Sequence, residues 1–155
     1  STPGLGIGQY PSDETPGNAC DSTVSTKYTN FGTCWSTIVR TNCGVNTGFY
    51  TELQRGASLV IGMRICTGNN LPGRDPMTVS IEGSNLSGTA LTLGSSWTPI
   101  FYGPSGLATD PGRYTCGPMQ IVNNTAFYTS YRFLVLAIRS TESSTQYSEL
   151  QLYGY

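Results

Sequence analysis

The chain has 155 residues, enough for one domain that removes roughly 70% of its unfolded surface from water. Its formal charge is -1, with only eight Lys and Arg, and charged residues make up 11% of it against about 25% in an average soluble protein. No cluster of basic residues exists to neutralise phosphates, which excludes nucleic acid as a partner, and the longest apolar runs (133–138 and 59–63) are far below the ~18 residues that span a bilayer, so membrane insertion is not expected.

Residues 1–18 are rich in Gly and Pro and predict an irregular N-terminal segment. Asp21-Ser22-Thr23-Val24-Ser25-Thr26 is a polar, oxygen-rich loop, and Tyr28 to Phe31 begins an aromatic strand. Residues 32–48 carry two cysteines, and a strand is predicted from Phe49 to Leu53. Leu59, Ile61, Met63 and Ile65 alternate with Val60, Gly62, Arg64 and Cys66, the two-residue period of a strand. Turn formers Gly68, Asn69, Asn70, Pro72 and Gly73 mark a loop that ends at Arg74-Asp75-Pro76. Met77, Val79 and Ile81 then alternate with Thr78, Ser80 and Glu82, a strand with one face to the core and one to water.

A strand over 97–102 follows, where Pro99 predicts an edge or a bulge. Residues 103–117 form a long loop, and 119–122 a short extended piece. The stretch 127–139 gives the strongest strand signal, and its Phe127, Tyr131 and Phe133 are expected in the core. Residues 146–153 close the chain as one strand. No segment has a helical period, and short strands with Gly/Pro turns predict a single all-β sandwich or barrel over 1–155.

Cysteines stand at 20, 34, 43, 66 and 116, and their spacing suits no zinc site in a chain without histidine. At least one disulfide is expected, with Cys34–Cys43 as the preferred pair. Cys66 and Cys116 can form a second, Cys20 can pair instead, and one thiol is left over or pairs outside the chain. The alternative is scattered buried thiols. Disulfides place the protein outside the cytosol, secreted or at the cell surface, where Asn85-Leu86-Ser87 and Asn123-Asn124-Thr125 become glycosylation sequons.

Enzymatic chemistry finds little support. Without histidine there is no Ser-His-Asp or Cys-His relay. Asp75 and Asp110 are the one loop pair of carboxylates to consider for glycoside hydrolysis. Gly4-Leu5-Gly6-Ile7-Gly8 lacks the Lys and the preceding strand of a phosphate loop. The chain is read as non-catalytic.

The ordered set Ala19-Cys20-Asp21, Thr26-Lys27-Tyr28-Thr29-Asn30-Phe31, Gly62-Met63-Arg64-Ile65-Cys66-Thr67, Arg74-Asp75-Pro76, Ile81-Glu82-Gly83-Ser84 and Tyr147-Ser148-Glu149-Leu150 resembles the discoidin, or coagulation factor 5/8 type C, domains and the related galactose-binding-like carbohydrate-binding modules. The resemblance runs from about residue 19 to 154. It departs at Ser22, where the family often has Gly, and in the cysteine-bearing segment 32–48. It implies an eight-stranded jelly-roll β-sandwich with ligand loops at one end and a structural Ca2+ near them. Carried over, Asp21, Thr26 and Glu149 are the side-chain ligands of that ion, with carbonyls near Tyr28 and Leu150 as further donors. Calcium takes six to eight oxygens, which a polar loop supplies. Glu149, at the start of the last strand, can reach an ion held by the first loop.

The resemblance implies a lectin or carbohydrate-binding module whose partner is a glycan or glycoprotein, alone or within a larger protein or assembly. Sugars offer apolar C–H faces and flanking hydroxyls, so a site needs exposed aromatics and fixed donors. Tyr10, Trp35, Tyr102 and Tyr114 are the loop aromatics, whereas Trp97 is expected in the core. Asn69, Asn70 and Arg74 share one loop, and Arg74 either offers its fork of donors to hydroxyls or braces the loop against Asp75 or Asp110. Arg113 and Arg139 are alternative donors. The second reading is cell adhesion or matrix structure, with the same fold gripping protein or lipid. Lipid ranks last because the candidate loops are polar apart from Leu71 and Leu107.

Overall fold

Nine strands form, the longer ones where apolar residues alternate, and the structure, a computed structural model, describes all of residues 1–155. They are β1 (Tyr28–Asn30), β2 (Thr47–Glu52), β3 (Val60–Cys66), β4 (Pro76–Ser84), β5 (Thr98–Pro104), β6 (Gln120–Ile121), β7 (Ser130–Ile138), β8 (Thr145–Tyr147) and β9 (Glu149–Gly154). A four-stranded sheet in the order β2-β7-β4-β5 stacks on a three-stranded sheet, β6-β3-β9, and β1 pairs with β8; every pairing is antiparallel. This is the jelly-roll β-sandwich, with no helix beyond short 3-10 turns.

Inward residues of both sheets meet in one core. Val60, Met63, Ile65 and Leu150 come from the three-stranded sheet, and Val79, Ile81, Tyr131, Phe133 and Val135 from the four-stranded one. Each such side chain contributes about 1.5–3 kcal/mol through burial. Tyr28 of β1 and Tyr147 of β8 plug the margin, with ring centroids 5.6 Å apart in an edge-to-face contact. Tyr147 also meets Phe133 edge-on at 5.5 Å.

Several expectations need correction. The single strand over 146–153 is two, because the chain changes partner at Ser148: β8 pairs with β1 and β9 with β3. A bulge between Val60 and Gly62 shifts the phase of β3, so Val60 enters the core and Ile61 is half-exposed. Irregular pairing near the start of β4 likewise leaves Met77 half-buried while Val79 and Ile81 pack inward. Phe127 precedes β7 and is 53% exposed, not core. Leu107, in place of a protruding tip, is fully buried. Tyr10 is half-buried against Tyr28, not an open loop aromatic. Pro99 lies in the edge strand β5, at a bulge opposite Glu82, where its missing N–H costs nothing.

The topology sorts the loops to two poles. Segments 31–46, 67–75, 105–119 and 139–144 gather at one, joined by backbone bonds from Arg40 N–H to Glu142 C=O and from Ser140 N–H to Gly73 C=O. Segments 53–59, 85–87 and 122–129 and the C-terminus gather at the other, through Ser58 with Tyr128 and Leu59 with Tyr155. Cys34–Cys43 closes the first of the upper loops, Cys66–Cys116 ties β3 to the long loop, and Cys20 is free.

Gly44 sets how closely segment 31–46 lies on β8. Its φ is +75°, and a Cβ there would land on the backbone nitrogen of Thr145. Gly88 also has positive φ (+59°) but faces open space. G88A should therefore cost only the backbone term, about 1 kcal/mol. G44A should cost that plus overpacking of roughly 1–3 kcal/mol. Urea unfolding of both variants checks the difference.

Candidate functional site

The loop after Ala19 folds on its own oxygens. Asp21 Oδ1 accepts the Thr23 N–H at 2.9 Å, and Asp21 Oδ2 accepts the Thr26 hydroxyl at 2.7 Å. Ser22 adopts positive φ (63°) to make this turn, in the position where the resembled family often has Gly. The same Thr23 N–H lies 3.2 Å from Glu149 Oε1, across 126 residues of sequence. Asp21, Thr26 and Glu149 are thus brought together from the two ends of the chain.

Two carboxyl groups sharing one donor do not ionise independently. The Asp21 carboxyl is held below the usual range, first by the Thr26 hydroxyl. Glu149, only 3% exposed, is pushed up by burial and then by its neighbour Asp21. Cys20 beside them is exposed as a residue, yet desolvation of its thiol, and then the charges of Glu149 and Asp21, raise it to about 11. A cation at this point would relieve the two raised groups, Glu149 and Cys20, and the oxygen donors of Asp21, Thr26 and Glu149 are hard, as calcium requires. These residues fit such an ion. Tyr28 and Leu150, whose carbonyls were further expected donors, lie at the starts of β1 and β9. No group of three or more His, Cys, Asp or Glu is assembled anywhere, so carbonyls and water would have to complete the shell.

Next to this loop lies a polar clamp that the sequence reading missed. Lys27 is the sole lysine of the chain and is buried. Its Nζ reaches Gln146 Oε1 at 3.0 Å, Asn70 Oδ1 at 3.2 Å and Glu14 Oε1 at 3.3 Å. Gln146 Nε2 donates to the Asn70 carbonyl in turn. A lone lysine set between an acidic loop and an aromatic strand was the available signal. Asn70 is therefore spent on holding its loop, while Asn69 beside it is exposed with no side-chain partner.

Asp75 organises the rest of that pole. It is fully buried and accepts two bonds from Arg113, at 2.8 and 2.7 Å, and a third from Arg139 at 3.3 Å. Arg113 also holds Asp110 at 2.6 Å, which keeps that carboxyl below its usual range. Asp75 and Asp110 are thus bridged by one guanidinium and do not face each other across a cleft. Arg74 donates to Ser143 Oγ at 2.9 Å and lies 3.5 Å from Glu142. All three guanidinium groups serve as internal braces.

The aromatics divide. Trp35 is 58% exposed on the loop closed by Cys34–Cys43, and its ring edge rests on Gly6 of the N-terminal strap, whose Leu5 C=O accepts the Ser36 N–H at 3.0 Å. Tyr114, also exposed, donates its N–H to Gly68 C=O, beside Asn69. Tyr102 is 76% exposed but sits within β5 on the open face of the sheet, away from these loops. Trp97 is buried, donating to Leu91 C=O and stacked by Arg132. None of the clefts in the molecule is lined by Trp35, Asn69, Asn70, Arg74, Tyr102 or Tyr114, and the cleft nearest Trp35 in the chain's contacts is the one lined by Pro3, Gly4, Leu5, Pro11, Ser12 and Asp13 of the strap.

No family model matches the chain, and no curated protein matches it by sequence. Solved structures do match by shape. A family 32 carbohydrate-binding module from a family 31 glycoside hydrolase of Clostridium perfringens superposes with a TM-score of 0.66 at 14% identity, covering 94% of this chain and 86% of that one. The family 32 module of AlyQ, in complex with 4,5-unsaturated mannuronic acid, gives 0.60 at 16% identity, covering 93% and 88%. The family 32 module of C. perfringens NanJ, in complex with galactose, gives 0.55 at 10%, covering 92% and 87%.

The chain has the fold of these carbohydrate-binding modules. At such identities the likeness extends to architecture, and the side chains of each site must be argued from this chain alone.

Removing Asp75 leaves two guanidinium groups without their shared buried partner. D75A should cost about 3–5 kcal/mol, whereas D110A, at a more exposed carboxylate, should cost about 1 kcal/mol or less. Chemical denaturation of the two variants measures this contrast.

Proposed function

We propose that this is a non-catalytic carbohydrate-binding domain that grips a glycan on the pole that carries Trp35, with a structural calcium ion at Asp21, Thr26 and Glu149. The observation that carries the sugar reading is Trp35. It is a large aromatic held in solvent on a disulfide-closed loop, above a pole where Arg74, Arg113 and Arg139 are each paired with a carboxylate and only Arg40 stands exposed and unpaired. A held ring loses little entropy on contact with a sugar face. Asn69 and Tyr114, close to each other on two further loops of the same pole, offer polar groups, while Asn70 and Arg74 act from behind by fixing their loop. Modules of this fold bound to galactose and to an unsaturated mannuronic acid support the class of ligand. The paired disulfides fit an extracellular setting.

A second reading, adhesion to protein, is favoured by Leu5, Ile7 and Val39, which are exposed on the strap and loop that carry Trp35. A glycan array separates the two. W35A should weaken sugar binding by about 2 kcal/mol, roughly thirtyfold in Kd. Unchanged sugar binding by W35A would place the site elsewhere, and an array without hits would favour the protein reading.

Calcium would act as a fastener between the ends of the chain. In the metal-free protein, the raised Glu149 carboxyl contributes stability that is full below the ordinary glutamate range and is lost as pH rises through its raised value. Asp21 works in the opposite sense: its contribution is present above the ordinary aspartate range and disappears as pH falls through its lowered value. Under chelator at neutral pH, E149Q should therefore be at least as stable as the native chain, and the difference should shrink below pH ~4.3. At about a hundredfold calcium excess over Kd the native chain should gain about 2.7 kcal/mol, and E149Q should gain far less. Scanning calorimetry reads both effects, and a native midpoint indifferent to calcium contradicts the assignment.

A further inference from the structure

The two glycosylation sequons lie at the same pole, opposite the loops that carry Trp35, yet their asparagines stand in different chemical states. Both Asn85 and Asn123 are exposed, so exposure does not separate them. Hydrogen bonding does. Asn85 Nδ2 donates to Phe127 C=O at 3.2 Å, and Asn85 Oδ1 accepts the Thr129 N–H at 2.9 Å. This two-point contact clips the chain just ahead of β7, beside the bond from Thr129 Oγ1 to Ser84 C=O at 3.3 Å. It also fixes which carboxamide atom is nitrogen, since a flipped group would set an NH2 against an N–H.

Asn123 has no side-chain partner. Its neighbour Asn124 closes on Ala126 through both carboxamide atoms, at 2.9 and 3.0 Å, which shapes the turn without drawing on Asn123. Thr125, the hydroxyl residue of this sequon, is exposed and its side chain makes no hydrogen bond to the protein. Ile121 and Phe127, on either side in sequence, are 65% and 53% exposed.

N-glycosylation forms a bond from sugar C1 to Nδ2 and expels the lipid-phosphate carrier that delivers the glycan, with one Nδ2 hydrogen leaving as a proton. The resulting secondary amide is trans, so the sugar replaces the hydrogen on the Oδ1 side. At Asn85 that is the hydrogen aimed at Phe127 C=O in the two-point contact. A glycan there would break the clip and drive its first ring into the strand. At Asn123 the same substitution displaces only water, and the sugar can lie over Ile121 and Phe127.

We propose that Asn123 is an N-glycosylation site of this protein and that Asn85 is a structural clip which stays unmodified. The glycan then projects from the pole opposite Trp35 and leaves the binding surface clear. This rests on the extracellular reading. It does not depend on sugar binding, because occupancy is measured without any ligand.

The test is secretion of the full chain from a eukaryotic host behind a cleavable signal, followed by glycopeptide mass spectrometry with and without enzymatic removal of N-glycans. The expected result is glycan on the Asn123 peptide and none on the Asn85 peptide, with all glycan mass lost in both N123Q and T125A. Since neither Asn123 nor Thr125 contributes a side-chain hydrogen bond to the fold, both variants should be secreted with intact disulfides. A bare Asn123 in secreted, disulfide-bonded protein overturns the proposal, and so does a glycan on Asn85.

Discussion

Two carboxyl groups from opposite ends of the chain share the N–H of Thr23, and the upper half of the molecule is arranged around that meeting. Asp21 belongs to the loop that leads into β1 and Glu149 to the start of β9. The Thr26 hydroxyl lowers the proton affinity of Asp21, while burial and then the Asp21 carboxylate raise that of Glu149, so the doubly ionised pair is unfavourable unless something positive or a proton sits between them. The cost is tolerated because the surrounding elements leave little freedom. Ser148 turns the chain from β8 into β9 with its hydroxyl on Thr67 C=O, and Thr26 fixes the Asp21 carboxyl from the other side.

From that point the constraint passes to the Trp35 pole through contiguous bonds. Lys27 follows Thr26 directly, and its ammonium binds Gln146 and Asn70 together. Asn70 shares its loop with Arg74 and Asp75, and Asp75 gathers Arg113 and Arg139. On the other side, β1 leads into the segment that carries Trp35, which Gly44 allows to lie flat on β8. The first loop, the clamp, the buried aspartate and the exposed indole are thus one mechanical unit. A cation at Asp21 and Glu149 would stiffen the base on which the ligand surface stands without touching the ligand.

Much of this was legible in the sequence, and the failures have physical causes. Apolar alternation located most strands because burial on one face dictates it, and the three residues that the resemblance grouped, Asp21, Thr26 and Glu149, lie together in the fold. Alternation fails where register slips. The bulge in β3 exchanged Val60 for Ile61, and Ser148 split a continuous apolar run because hydrogen-bond partners, not hydropathy, decide where a strand ends. Phe127 read as core since its composition matches that of β7, yet the Asn85 clip holds the chain outside the sheet there. Arg74 and Asn70 looked free for a ligand because sequence does not reveal that Arg74 already donates to a serine hydroxyl and that the Asn70 side-chain oxygen already accepts from a buried ammonium. Conversely, a lone lysine marks Lys27 as unusual, but its partners Glu14, Asn70 and Gln146 are spread over the chain and the sequence does not name them.

The two poles of the sandwich consequently carry different chemistry: an aromatic-tipped surface braced by three paired arginines at one, and turns with the two sequons and exposed Ile121 and Phe127 at the other. The claim on which this division depends is that a divalent ion closes the Asp21–Glu149 junction. Diffraction from crystals grown with calcium, using the ion's anomalous signal, tests it most directly. The account predicts one peak with oxygens of both Asp21 and Glu149 at about 2.3–2.6 Å. Carboxylates still sharing the Thr23 N–H at saturating calcium, with no peak beside them, would contradict it.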